Sequence, residues 1–233
     1  MGSERIFEPF EDDLVQPPYR SEKYSSTARM APDNVNAISP RTATELSGTT
    51  FAQTVAEDRN LVSGKNGQAI GSLMRLKVRV LDEDARPQAG SLIEIWQANA
   101  AGKYQHPQDQ RDAPIDTNFR SWGRGLVDAN GEVDFITIRP GAYPVPNSGG
   151  WWRPPHIHLS AYGSTFSSRI ITQLYFPGDP LNKLDGIFQG IPDPLARERL
   201  VLKPDVNSGI PEVALGFCFD LVLRGRSQTP LEN

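Results

Sequence analysis

The sequence predicts an all-β fold: a β-sandwich of mixed short strands with long loops, an irregular N-terminal arm and one or two short helices. Three observations point there. Apolar and polar residues alternate with period 2, as in Leu76, Val78 and Val80 against Lys77 and Arg79, the signature of a half-buried strand. Short β-rich runs recur with turn signals between them. No stretch of the first 72 residues sustains a period of 2 or 3.6.

The arm, residues 1–72, is punctuated by Pro9, Pro17, Pro18, Pro32 and Pro40. Its aromatic residues Phe7, Phe10, Tyr19, Tyr24 and Phe51 suit a segment that packs on the core or on a partner. The sandwich domain is expected over 73–233. Its strands are read at 76–80, 92–97, 125–128, 133–138, 156–161, 170–176 and 217–223. Asp128-Ala-Asn-Gly131 joins two of them as a hairpin turn. A helix is expected over 193–202, with Asp193 as N-cap and Pro194 in the first turn. Residues 98–124 and 139–155 read as long loops, which in compact domains usually carry function.

Composition excludes several classes. The 233 residues are 38% hydrophobic and 22% charged, with a net charge of -4. This is neither a disordered chain nor a basic surface for nucleic acid or membrane. One cysteine, Cys218, rules out an internal disulfide and a cysteine-based zinc site; it reads as a small buried hydrophobe. No apolar signal segment opens the chain and no stretch reaches transmembrane length, so a cytoplasmic protein is expected.

Two of the three histidines form His156-Ile-His158. On a strand, side chains at i and i+2 share a face, about 6.6–7 Å apart along the strand. Both imidazoles can then approach one ion, while Ile157 and Leu159 point to a core. Exposed histidines on a β face would show the same tripeptide. Trp151-Trp-Arg-Pro-Pro155 leads into it, and two tyrosines stand in glycine-flanked motifs, Gly102-Lys-Tyr104 and Gly141-Ala-Tyr143-Pro. Two tyrosinates with two imidazoles would make a hard, doubly negative donor set, suited to a trivalent ion.

Together with Ile171-Thr-Gln173-Leu-Tyr-Phe176, these motifs resemble the intradiol ring-cleavage dioxygenases. The likeness is greatest to the family's iron-carrying β chains that cleave protocatechuate, and Leu92–Ala100, Tyr175–Pro180, Phe219–Gly225 and the end Thr229–Asn233 share it. The resemblance implies one Fe(III) per chain, held by Tyr104, Tyr143, His156 and His158. It implies catalytic roles for Arg153, Tyr143 and Gln173, and a substrate pocket that includes Arg153, Gln173 and Tyr24. It further implies O2 as co-substrate, 3-carboxy-cis,cis-muconate as product, and a homologous α subunit in a repeated αβ assembly. Val145 replaces the tryptophan that the family often has two residues after its second ligand tyrosine. His106, close behind Tyr104, is expected either in a structural role or in support of the ligands. Two other readings are compatible with parts of this pattern. One is a homodimeric catechol or hydroxyquinol 1,2-dioxygenase, which would need a helical N-terminal domain that the arm's pattern does not suggest. The other is a non-catalytic β-sandwich binding module, which would be colourless.

Overall fold

The computed structural model describes residues 56–146, 148–163 and 169–232. Its strands are β1 (Ser63–Gly64), β2 (Gly67–Gln68), β3 (Leu73–Leu81), β4 (Leu92–Trp96), β5 (Trp122–Leu126), β6 (Glu132–Ile138), β7 (Tyr143–Pro144), β8 (Trp152–Arg153), β9 (His156–Tyr162), β10 (Arg169–Tyr175), β11 (Lys203–Pro204) and β12 (Leu215–Val222). Among the described residues a short α-helix, α1, spans Pro194–Glu198. Two four-stranded sheets are formed, ordered β10-β9-β4-β5 and β11-β12-β3-β6, and β12 runs parallel to β3. Two further pairs, β1–β2 and β7–β8, are two-residue ladders. Among the described residues no helix is long and apolar enough to cross a membrane.

The sandwich core follows from the alternation. Met74, Leu76, Val78, Val80, Val133, Phe135, Phe219 and Leu221 face inward from one sheet. Ile93, Ile95, Ile157, Leu159, Ala161 and Leu174 face them from the other. Burying apolar area between two such faces is the main favourable contribution to the fold. Cys218 differs from expectation. Phe217, Phe219 and Leu221 take the inner positions of β12, so Cys218 faces outward, half-buried, and its thiol donates to Asp205 at 3.2 Å.

One side of the sandwich is closed by the segment leading into β1. Asp58 pairs with Arg124 of β5, and Asn60 bridges to Ile136 of β6. Leu61 and Val62 then enter the core. This crossing explains why β5 begins three residues before its expected start. A Cβ at Gly123 would lie 2.6 Å from Leu61 Cδ1 and 2.7 Å from the Asp58 carbonyl. Glycine is needed where another backbone passes this closely, and glycines hide a strand from pattern reading.

The helix is shorter than its expected span. Asp193 caps it, accepting from Leu195 N at 2.9 Å. It stops after Glu198 because the chain straightens to pair with β10: Tyr175 N donates to Leu200 O and Leu202 N to Tyr175 O, both at 2.8 Å. The turn Asp128–Gly131 forms as expected, with Asp128 Oδ1 accepting from Asn130 N at 2.8 Å and Glu132 N at 2.9 Å.

Because Leu61 is fully buried where the two sheet edges meet, Leu61→Ala should lower the unfolding free energy by about 2–5 kcal/mol. Val206→Ala, at a 93% exposed position, should change it by under about 0.5 kcal/mol. Chemical denaturation of both variants checks this, and equal stabilities would remove the closing role of residues 58–62.

Candidate active site

The site lies on the outer face of the β10-β9-β4-β5 sheet, where the period-2 pleat turns polar and aromatic residues outward. Within β9, Ile157 and Leu159 point into the core, so His156 and His158 point the other way. Register then sets their neighbours. Tyr175 stands opposite His156, Gln173 opposite His158, and Trp96 of β4 flanks His158 on its other side. The Trp96 indole stacks on the His158 ring, 4.9 Å between centroids and 6° from parallel.

The two tyrosines come from separate loops that touch. Asn99 shapes the first loop: its Oδ1 accepts from Ala101 N at 2.9 Å and Lys103 N at 3.0 Å. Its carbonyl accepts from Gly141 N of the second loop at 2.9 Å. A Cβ at Gly102 would fall 2.3 Å from Ala142 O, and one at Gly141 would fall 2.4 Å from Ala100 O. The glycines of the two tyrosine motifs are therefore what lets the loops close on each other, which carries Tyr104 and Tyr143 to 5.6 Å between ring centroids.

All four predicted donors meet. Tyr104 Oη lies 3.2 Å from His158 Nε2, and Tyr143 Oη lies 3.4 Å from His156 Nε2. The imidazole centroids are 4.9 Å apart. Both histidines are oriented through their other nitrogen: His156 Nδ1 donates to Pro154 O at 2.7 Å, and His158 Nδ1 donates to Glu232 at 3.0 Å. Each Nε2 lone pair thus faces a phenol. Burial, reinforced by the Arg153 charge beside it, holds the His156 pKa well below the imidazole value, so its imidazole stays neutral. A metal with bonds of about 2 Å spaces neighbouring donors about 3 Å apart, so the donor separations fit one ion. Two phenolates and two imidazoles suit a hard ferric centre.

Arg153 is fully buried beside this cluster. Its Nε donates to Asp185 at 3.2 Å, and its Nη2 donates to Gln173 Oε1 and, at 3.2 Å, to Tyr175 Oη. Tyr175 Oη donates in turn to Gln173 Oε1 at 2.9 Å. Burial pushes the Tyr175 phenol well above its ordinary range against the opposing charge of Arg153, so Tyr175 stays a proton donor in this network. For Glu232 burial works upward, but its interaction with His158 and its hydrogen bond with Gln173 outweigh it and leave the carboxyl below the usual range.

The structure thus brings Tyr104, Tyr143, His156, His158, Arg153 and Gln173 together. Tyr24 lies outside the described residues. His106 is exposed and turns its own loop, accepting from Gln108 N at 3.2 Å. Val145 follows β7 and donates its N–H to Trp151 O at 2.9 Å. Four participants escaped sequence reasoning: Trp96, Tyr175, Asp185 and Glu232. Trp96 and Tyr175 were legible as outward positions of strands with known register. Glu232 sits 74 residues from His158, held along β10 by Glu232 N to Ile171 O and Thr172 Oγ1 to Pro230 O, each 2.7 Å. The end motif Thr229–Asn233 shares the family likeness, but nothing in it assigns Glu232 to His158.

The family described as Dioxygenase matches residues 46–225. The chain is 51% identical over 169 residues to a protocatechuate 3,4-dioxygenase beta chain of Burkholderia cepacia, covering 72% of each. It is 29% identical to a protocatechuate 3,4-dioxygenase alpha chain of Pseudomonas putida, over 69% of this chain and 76% of that one. The crystal structure of a hydroxyquinol 1,2-dioxygenase from Pseudomonas putida DLL-E4 shares the fold, with a TM-score of 0.55 at 22% identity over 82% of this chain and 69% of the other.

The buried Arg153–Asp185 pair makes a stability prediction. Asp185→Ala removes the carboxylate that neutralises a fully buried guanidinium and should cost about 3–5 kcal/mol. Urea titration measures it, and a loss below about 1 kcal/mol, the size of an exposed pair, would show that Gln173 and Tyr175 satisfy Arg153 without it.

Proposed function

The chain belongs to the intradiol ring-cleavage dioxygenase family, and from that premise we propose that it cleaves protocatechuate with O2 at one non-haem Fe(III), giving 3-carboxy-cis,cis-muconate. The observation that carries this reading is the convergence of Tyr104, Tyr143, His156 and His158 on one point. The beta-chain relative supports the choice of protocatechuate. Likeness to both an alpha and a beta chain supports an αβ assembly, with this chain as its iron-carrying member. The N-terminal arm, residues 1–72, carries aromatic side chains that suit contact with the α subunit.

Tyr104, Tyr143, His156 and His158 would hold the iron. Ferric iron, when bound, supplies the Lewis acidity that makes an electron-rich catechol reactive toward O2. The chain's own residues handle protons and charge around it. A catechol must lose two protons to chelate a metal, and Tyr143 Oη is positioned to take one of them. Arg153 cannot deprotonate. Clamped by Asp185 and Gln173, its charge is fixed beside the reacting ring, where it stabilises negative charge that builds in the transition state. Glu232 and the Pro154 carbonyl hold the two imidazoles in their ligating orientation. Tyr175 and Trp96 pack against His156 and His158 and keep solvent from their flanks.

Oxygen uptake with protocatechuate, catechol and hydroxyquinol, each with product analysis, tests the substrate. Protocatechuate should be preferred when this chain is co-expressed with its α subunit. Preferential turnover of catechol or hydroxyquinol by this chain alone would instead favour the homodimeric 1,2-dioxygenase reading.

Metal content tests the site. His158→Ala and Tyr104→Ala should each lose most bound iron, whereas Tyr143→Phe should keep part or all of it yet bind substrate slowly under anaerobic conditions. Full iron in either alanine variant would take that residue out of the ligand shell.

A further inference from the structure

We propose that Arg111 is a positioning residue for Tyr143: its guanidinium lies against the Tyr143 ring, fixed there by Asp109, and sets how strongly that phenol oxygen donates to iron. The inference rests on the reading above in which Tyr143 is a ligand.

The geometry is specific. The Arg111 guanidinium carbon lies 4.4 Å from the Tyr143 ring centroid, within the range in which a cation is attracted by an aromatic face. The guanidinium is not free to leave that position. Its Nε donates to Asp109 Oδ1 at 2.9 Å and its Nη2 donates to Asp109 Oδ2, a two-point fork that fixes the plane as well as the place of the charge. The same carboxylate accepts the backbone N–H of Tyr104 at 2.9 Å. One buried acid therefore ties the cation facing one tyrosine to the backbone of the other.

Lys103 completes the cluster. Its ammonium is buried and donates to Asp109 O at 2.7 Å, to Arg111 O, and to Asp109 Oδ1 at 3.4 Å. Lys103 thus holds the loop backbone, whereas the Arg111 side chain reaches past the loop to Tyr143. Two cations, Lys103 and Arg111, against one anion, Asp109, leave a net charge of +1 in this cluster. Most of it is sheltered from solvent, since the Arg111 side chain is 18% exposed and the other two 8% each. The desolvation of a charge placed so is better offset if an anion faces it, and the Tyr143 ring does face it. A phenolate spreads negative charge into its ring, so an aromatic face is a stronger partner for this cation in a metal-bound tyrosinate than in a phenol. Arg153 directs its Nε and Nη2 to Asp185, Gln173 and Tyr175 on the β10 side.

A cation beside a phenolate lowers the energy of its donor electrons, and excitation that moves an electron from the phenolate to the metal carries negative charge away from that cation. Removing the cation should therefore shift the phenolate-to-iron absorption of Tyr143 to longer wavelength. The test uses the co-expressed, iron-loaded protein, its visible spectrum and its iron content. Arg111→Gln should keep its iron and show the red shift. Arg111→Lys, which keeps a charge without the fork, should fall between Arg111→Gln and the wild type, and it decides the matter if the glutamine variant does not fold. In a Tyr143→Phe background, Arg111→Gln should cause no further shift. Spectra that superimpose on the wild type, or an equal shift in the Tyr143→Phe background, would overturn the role while leaving the iron reading intact. A wild-type protein with no phenolate-to-iron band would overturn both.

Discussion

The two-residue pleat of β9 is the constraint on which the site depends. Ile157 and Leu159 are fixed in the sandwich core by apolar burial, and a one-residue slip of register would exchange every side chain between the two faces. Core packing therefore aims His156 and His158 outward, although neither histidine contributes to the core. Register carries the constraint sideways. Pairing with β10 places Tyr175 and Gln173, and pairing with β4 places Trp96. The stability of the sandwich and the geometry of its outer face are thus one problem, solved by the same strand.

The loops work on a different principle. Neither tyrosine is positioned by a ladder of any length, since β7 and β8 are two residues each. Their placement comes from backbone contact between two loops, at Gly102 and Gly141, and from the hydrogen bonds of Asn99. Side chains bulkier than hydrogen at those glycines would hold the loops apart. The donor set is therefore half rigid, from the strand, and half loop-borne.

Charge is distributed with similar economy. Arg153 lies on one side of the donors, neutralised by Asp185 and hydrogen-bonded to Gln173. Arg111 and Lys103 lie on the other, sharing Asp109. Burial penalises lone charges severely, so each cation close to the site comes with a carboxylate. The chain's overall charge of -4 gives no hint of this local arrangement.

Local order along the chain was enough to determine the strands, the hairpin turn, the cap at Asp193 and the shared face of His156 and His158, because pleat period, turn chemistry and capping act over a few residues. Motif order was enough to name the tyrosines, Arg153 and Gln173. The early start of β5 was hidden by Gly123 and Gly125, whose reason is the crossing of residues 58–61. The short helix and the outward Cys218 likewise answered to distant partners, Tyr175 and the aromatic residues of the core. Tertiary structure alone decided that Glu232 orients His158 from 74 residues away, that Asp185 faces Arg153, and that Arg111 lies over Tyr143. Those are contacts between side chains whose separation in sequence carries no information about their separation in space, and only packing the two sheets and closing the loops sets it.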